Sequence, residues 1–259
     1  MSWNGLKKAI NRAGAQVKIK TGHIDQSADL EFDYQEKRFH AMEKASLRLH
    51  KELRNYKDLL HALAQVQASV GDVLAGFYGK DEKSVAAVYQ QAMREVAESG
   101  EELEQPYLQT VLNPIERFNS YYVDVNEAIK KRSHKKIDYD ALKAKVQKLI
   151  DNPKEDPASE LKLRDTQEEL ARAQTSYGVL NSQLKDELPQ LIEMRIPYLN
   201  PSFEAFVKIQ LRFFGDNYAR LNKVQKQLDA ESRHDFVSGQ LDKKMDDVLN
   251  KIRELNVAL

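Results

Sequence analysis

The first 24 residues, MSWNGLKKAINRAGAQVKIKTGHI, combine an apolar stripe with a strong excess of positive charge. They contain five basic residues, and the first carboxylate of the chain is Asp25. In a helix, steps of three and four place one apolar set on a single face: Trp3, Leu6, Ile10, Ala13 and Val17. A basic face opposite a stripe of Trp and aliphatic residues is typical of a helix that lies in a membrane interface. We therefore predict membrane insertion through Trp3, Leu6, Ile10 and Val17.

The cations of the same segment would meet the phosphates of an anionic bilayer. They are Lys7, Lys8, Arg12, Lys18 and Lys20. Gly5 and Gly14 each weaken a helix in water by about 1 kcal/mol, so we expect residues 1–24 to be disordered in solution, to fold on lipid, and to be the least packed part of the chain without a membrane. The alternative is that the stripe packs on the protein's own core, which the one-sided charge of the segment disfavours.

A second basic cluster lies at residues 129–148 and begins IKKRSHKK. It contains eight basic residues and two acidic ones, although the whole chain has 40 of each sign. The basic residues are Lys130, Lys131, Arg132, Lys135, Lys136, Lys143, Lys145 and Lys148. Such segregated charge indicates a partner with a negative surface. A solvated helix face and a nucleic-acid or nuclear-localisation segment are the alternatives.

The elements that must position these residues are helices, because apolar residues recur at helical spacing almost throughout and no strand alternation is present. One helix is predicted from about Leu30 to about Phe77, ending at GFYGKDEKS. Its heptad seam comprises Leu49, Leu53, Tyr56, Leu60, Leu63, Val70, Leu74 and Phe77. A second helix is predicted from about Tyr107 to residue 150, a third over 159–199, and a last one over 241–255.

The third helix contains Pro189 and Pro197, and Pro201 follows, but helical spacing continues on both sides. These prolines therefore indicate bends rather than helix ends.

Helix length then restricts the architecture. Two helices of about 40 residues are each about 60 Å long, so we expect an antiparallel hairpin with DNPKEDPAS at its tip. Such a hairpin places three more cations near that tip: Lys154, Lys162 and Arg164. Because two helices bury little apolar surface by themselves, the first helix must lie alongside, and an all-α, elongated helical dimer is the simplest arrangement.

Composition argues against catalysis. The chain has no cysteine, its six histidines lack HExxH spacing, and no glycine-rich phosphate loop follows a strand. We expect no catalytic residues, no metal and no cofactor. No run of 18 apolar residues and no secretory signal is present, and the low Arg and Ser content of the N-terminus disfavours a transit peptide.

Three stretches resemble a known family, in the same order and over essentially the whole chain: SWNGLKKAINRAGAQVKIKTG, IKKRSHKKIDYDALKAKV and LKDELPQLIEMRIPYLNPSFEAFVKIQLRFF. They are similar to the N-BAR proteins of the amphiphysin/endophilin group, and in particular to the short fungal amphiphysin-like "reduced viability upon starvation" proteins. The resemblance implies a BAR fold, a crescent-shaped antiparallel dimer of kinked three-helix coiled coils. Its concave face and tips would bind anionic bilayers. Residues 1–24 would form the inserting amphipathic helix and residues 25–259 the BAR domain.

The resemblance also implies partners and setting. Animal amphiphysins continue into a polyproline-binding module, whereas this chain stops at Leu259, as in the short fungal members that pair with a related chain carrying the module. A homodimer and such a heterodimer both remain open. The implied function is sensing or generating membrane curvature in endocytic vesicle scission and cortical actin organisation, at the cell cortex or endocytic actin patches of the cytoplasm. The alternatives are a coiled-coil cytoskeletal adaptor acting through another BAR protein or the actin machinery, and a basic helical nucleic-acid binder.

Overall fold

The computed structural model describes residues 3–20, 28–79, 84–153, 156–228 and 230–255, with the side chains of residues 3–8, 19–20 and 230–232 left undescribed. The described residues form eight α-helices and one π-helical turn, and contain no strand. The elements are α1 (Trp3–Lys20), α2 (Leu30–Tyr78), α3 (Val85–Glu102), α4 (Glu104–Tyr107), a π-helical turn (Leu108–Leu112), α5 (Asn113–Asp151), α6 (Pro157–Gln227), α7 (Ala230–Ser238) and α8 (Leu241–Arg253).

Both ends of α2 follow from local chemistry, and the predicted limits are confirmed. The Asp29 side chain caps the start, because its Oδ1 accepts a hydrogen bond from the backbone N–H of Phe32 at 3.1 Å. The helix ends at Tyr78, and Gly79 follows with φ +84°, a conformation that favours glycine after a helix.

Helix α6 confirms that the prolines do not end the third helix. It runs for 71 residues from Pro157 to Gln227 with Pro189, Pro197 and Pro201 inside it. The predicted bends at these prolines stay predictions.

Three helices were not predicted: α3, the four-residue α4 and α7. α3 spans Val85–Glu102, before the predicted start of the second long helix near Tyr107. Two signals could have found it: the Ser84 side chain caps it by accepting from the Ala87 N–H, and Ala86, Met93 and Val96 give its buried face. The following π-helical turn ends at Leu112, directly before α5 and Pro114.

The chain divides into two compact units. Unit 1 comprises Met1–Lys51 and Asn113–Pro201, and unit 2 comprises Glu52–Leu112 and Ser202–Leu259.

In unit 1, α5 and the first part of α6 form the predicted antiparallel hairpin. Phe118 stacks on Tyr198, whereas Tyr139 stacks on Tyr177, so the partner number falls as the α5 number rises. The N-terminal part of α2 completes a three-helix core. Its buried members are Phe32, Phe39, Phe118, Tyr122, Ile129, Leu184, Leu188 and Ile192. Full burial of such side chains stabilises the fold by about 1.5–3 kcal/mol each.

Unit 2 is a second three-helix arrangement, built from α2, α3 and the later part of α6. Polar pairs join Glu95 to Arg220 and Ser99 to Asp216, which sets α3 antiparallel to α6. The buried Tyr107 donates its hydroxyl proton to the Leu53 carbonyl at 2.8 Å, which ties α4 to α2.

Candidate membrane-binding surface

The N-terminal helix α1 packs on α5 within unit 1. The Arg12 guanidinium binds Asp138 through two bonds, Nε to Oδ1 at 3.0 Å and Nη2 to Oδ2 at 3.0 Å. Ala15, one turn further along α1, is buried. Ile10 and Val17 of the predicted stripe are 63% and 61% exposed. Ile10 and Val17 therefore face outward while α1 rests on its Arg12 face, and Ala13 of the stripe lines the cleft between α1 and α5.

One expectation about this segment is corrected: residues Trp3–Lys20 form a helix rather than a disordered segment. The exposure of Ile10 and Val17 agrees with the prediction that the stripe does not pack on the protein's core. Packing of Ala15 and the bidentate ion pair of Arg12 offset the weak helix propensity of Gly14.

The remaining predicted residues of this segment form two groups, those whose side chains the structure describes and those whose side chains it does not. Lys18 is exposed, and Arg12 is bound by Asp138 rather than free for a headgroup. The side chains of Trp3, Leu6, Lys7, Lys8 and Lys20, and the whole of residues 21–24, lie outside the described residues.

Most predicted cations of the hairpin are on its surface. The exposed ones are Lys130, Lys131, Lys143, Lys145 and Lys148 on α5, and Lys162 and Arg164 on α6. Because the two helices are antiparallel, Lys162 and Arg164 at the start of α6 lie near the end of α5, which carries Lys143, Lys145 and Lys148. Lys154 lies outside the described residues.

A groove between α5 and α6 brings cations of both helices together. Lys131 and Lys135 line it from α5 and Arg172 from α6, and the Lys135 ammonium donates to the Ser176 hydroxyl. Sequence reasoning missed Arg172, although counting back from the hairpin tip places it opposite Lys135. Lys130 lies instead on the cleft between α1 and α5.

The prediction that Arg132 and Lys136 contact the membrane is wrong. Arg132 and Lys136 are only 4% and 6% exposed. The Arg132 Nε donates to Asn181 Oδ1 at 2.7 Å, and its Nη2 donates to Tyr177 Oη at 3.1 Å and to Asp29 Oδ2 at 3.3 Å. These bonds join α5 to α6 and to the residue that caps α2, so the guanidinium serves the interior of unit 1 and cannot reach a bilayer.

Asp29 is held ionised by this arrangement, which we call the Arg132 cluster: Phe32, Asp29, Arg132, Tyr177 and Asn181. Burial alone would raise the pKa of Asp29, but hydrogen bonds from Asn181 and from the Phe32 N–H, with the cations Lys185 and Arg132, outweigh burial and lower it. The cluster therefore neutralises its buried charges internally.

Unit 2 carries a long apolar stripe without a partner in the chain as described. On α2, six residues recur at steps of four and three and are 44–85% exposed: Leu59, Leu63, Val66, Val70, Val73 and Phe77. We call them the outer seam. Leu53 and Ala64, on the opposite side of α2, are buried. The members of the predicted heptad seam therefore divide between two stripes: Leu53 faces inward, whereas Leu63, Val70 and Phe77 belong to the outer seam. A heptad stripe of this length is the pattern of a helix that packs against another chain.

The described residues contain no group of three or more His, Asp or Glu side chains that could hold a metal ion. None of the helices described is both long enough and apolar enough to cross a membrane.

Fold and surface together define a class: an all-helical coiled-coil protein with an exposed cationic hairpin, an amphipathic helix resting on it, and a separate apolar seam. The BAR domain family model matches residues 6–230. The chain belongs to the BAR domain family, whose members are structural, membrane-shaping proteins rather than enzymes.

The relatives agree with the fungal amphiphysin-like resemblance. Protein hob3 of Schizosaccharomyces pombe is 46% identical over 261 residues, covering 100% of this chain and 98% of the relative. Two further relatives are each 42% identical, covering 99% of this chain and 98% of the relative: Reduced viability upon starvation protein 161 of Saccharomyces cerevisiae and Regulator of cytoskeleton and endocytosis RVS161 of Candida albicans.

A solved structure supports the fold. The amphiphysin BAR domain from Drosophila superposes with a TM-score of 0.65 at 24% identity, covering 80% of this chain and 96% of that one.

Proposed function

We propose that this chain is a non-catalytic peripheral membrane protein that binds anionic bilayers and senses or generates their curvature. The observation that carries the proposal is the position of α1 on α5, with Ile10 and Val17 outward and Lys130 on the cleft beside it. We call the hairpin of α5 and the first part of α6 the arm. An apolar element that can enter a bilayer and a cation that can bind its phosphates thus lie together on this arm. Residues 1–24 would act as the inserting segment of a BAR domain at residues 25–259.

The energetics favour many weak contacts over one deep site. Each Lys or Arg near an anionic leaflet contributes about 1 kcal/mol, and the cations of α5 and the hairpin tip supply several. Salt screens these contacts beyond a Debye length of about 10 Å at 0.1 M, so membrane binding should weaken steeply with salt.

The cellular setting follows from the relatives. One is named as a regulator of cytoskeleton and endocytosis. By extension, this chain would act in endocytic vesicle formation or scission and in cortical actin organisation, from the cytoplasmic side of the cell cortex at endocytic actin patches.

Pairing is the second part of the proposal. The outer seam would pack against another BAR chain, either a second copy or a related chain with a polyproline-binding module. The same seam favours one alternative function, a cytoskeletal adaptor that acts chiefly by pairing with another BAR protein or with actin-associated proteins.

Co-sedimentation with phosphatidylserine vesicles tests the proposal. The full chain should bind these vesicles at low salt and bind them less at high salt. It should not bind phosphatidylcholine vesicles. Deleting residues 1–24 should weaken binding and reduce vesicle tubulation seen by electron microscopy.

Reversing two exposed cations of α5 (Lys130→Glu, Lys131→Glu) should also weaken binding. The matched control reverses two exposed lysines of unit 2 (Lys226→Glu, Lys243→Glu), which should bind as the wild type does. No vesicle binding at low salt would refute membrane function, and DNA binding in its place would favour the nucleic-acid alternative.

A further inference from the structure

The contact between α1 and α5 uses a different face of α1 from Ile10 and Val17, the exposed members of the apolar stripe. At 100° per residue, Arg12 lies about 160° around the helix from Ile10 and about 140° from Val17. Ala15, also buried, lies on the Arg12 side. The helix can therefore stay on the arm and present its stripe to a bilayer at the same time.

The ion pair has the geometry of a positioning contact rather than a loose surface pair. Arg12 and Asp138 form a fork with three N–O distances of 3.0–3.2 Å, and their side chains are 26% and 36% exposed. A bidentate arginine–carboxylate pair fixes orientation as well as distance. Asp138 is also acidic in a strongly basic stretch of α5, so it offers Arg12 a carboxylate where most neighbours would repel it.

We propose that Asp138 is a positioning residue for membrane insertion: through Arg12 it holds α1 on α5 as a formed helix with Ile10 and Val17 outward. This inference rests on the proposed membrane function and adds how the inserting helix is prepared. An element already ordered before binding loses less conformational entropy when it inserts. Asp138 thus strengthens membrane binding although its charge is repelled by the anionic surface.

Removing the charge of Asp138 distinguishes this positioning role from two alternatives, simple electrostatic repulsion and a contact that holds α1 away from the bilayer. Asp138→Asn removes one negative charge, so electrostatics alone would strengthen binding to anionic vesicles. A latch that holds α1 away from the bilayer would also be relieved, and binding would again strengthen. Only the positioning role predicts weaker binding.

The chain's only tryptophan, Trp3, lies in α1 and reports directly on it. In solution, Asp138→Asn should lower the fluorescence anisotropy of Trp3, because α1 is no longer held on the arm. With phosphatidylserine vesicles, it should bind about threefold to fivefold more weakly, the range expected for a partly exposed ion pair, with less blue shift of Trp3 at equal lipid. Exchanging the charges (Arg12→Asp with Asp138→Arg) should restore the anisotropy at unchanged net charge.

Asp124→Asn is the matched control, since Asp124 is an exposed carboxylate on the same helix and the charge change is identical. It should leave the Trp3 anisotropy unchanged and bind vesicles at least as well as the wild type. Unchanged or stronger insertion by Asp138→Asn, or unchanged anisotropy in solution, would overturn the positioning role while leaving the proposed function intact. If no variant and no wild-type protein binds vesicles, the proposed function fails, and the anisotropy in solution still decides whether Asp138 holds α1.

Discussion

The guanidinium carbon of Arg132 lies 3.6 Å from the centre of the Phe32 ring. Arg132 comes from the most basic run of the sequence, and Phe32 from the first turn of α2, which the adjacent Asp29 caps. Cation and ring are both almost fully buried. The basic run therefore has two roles, since some of its cations face solvent and this one fastens the start of α2 to the hairpin.

Arg132→Gln should destabilise the protein strongly. It removes a buried guanidinium that donates to Asn181, Tyr177 and Asp29, and each lost hydrogen bond to a charged group costs about 1.5–3 kcal/mol. Thermal unfolding followed by circular dichroism should show a clear fall in Tm. Lys130→Gln, on an exposed neighbour, should leave Tm within error and weaken vesicle binding. Equal Tm for the two variants would show that the Arg132 cluster does not stabilise unit 1.

Asp29 predicts a pH dependence of that stability. Its pKa is lowered in the folded protein, so its contribution is complete at neutral pH and is lost as pH falls through the folded value, where the carboxyl becomes protonated. Asp29→Asn keeps a residue that caps helices well but removes the charge. The Tm difference between wild type and Asp29→Asn should therefore be largest near pH 7 and shrink as the pH falls below the ordinary Asp value of about 3.9.

Asp124→Asn serves as the control for this titration, because its carboxylate is exposed. At neutral pH it should match the wild type in Tm. A difference between wild type and Asp29→Asn that grew on acidification would have the wrong sign for a lowered pKa.

Helix type and hairpin order could be predicted because they depend on local periodicity. The limits of α2 and the antiparallel pairing of α5 with α6 follow from apolar spacing, capping residues and length alone. The burial of Arg132 was also accessible in part: Tyr122, Ile129, Arg132 and Lys136 follow helical steps on the inward side of α5, so the core pattern continues through charged residues. The pattern does not identify Asp29 as the partner, 103 residues away.

The docking of α1 was beyond sequence reasoning for a similar reason. The composition of residues 1–24 indicates affinity for a membrane but does not show which of its other faces meets the protein. That face is determined by Asp138, 126 residues later in the chain. Weak local propensity at Gly14 favoured disorder, and tertiary contacts reversed the outcome.

Two glycines of α2 give a matched test of packing in unit 2. A Cβ on Gly71 would lie 2.9 Å from the Cα of Gln90 in α3, whereas a Cβ on Gly76 would meet nothing within 4 Å. Alanine improves helix propensity by about 1 kcal/mol at both positions, but overpacking a close helix contact costs about 1–3 kcal/mol. Gly71→Ala should therefore lower Tm or leave it level, and Gly76→Ala should raise it. The same upward shift for both would mean that α2 and α3 are not in close contact at Gly71.

The outer seam predicts the oligomeric state. Val66 and Val73 are 61% and 72% exposed, so replacing both by Glu removes no buried contact within the chain, but it places two charges on the surface proposed to meet another chain. Association should fall sharply because each charge would be desolvated at the interface, and circular dichroism should remain unchanged. Sedimentation velocity over a range of concentrations gives the measurement. Val123→Glu is the control, since Val123 is 66% exposed on α5 in unit 1 and should not affect association. A wild-type chain that dimerises equally well with both seam charges present would place the interface elsewhere on the molecule.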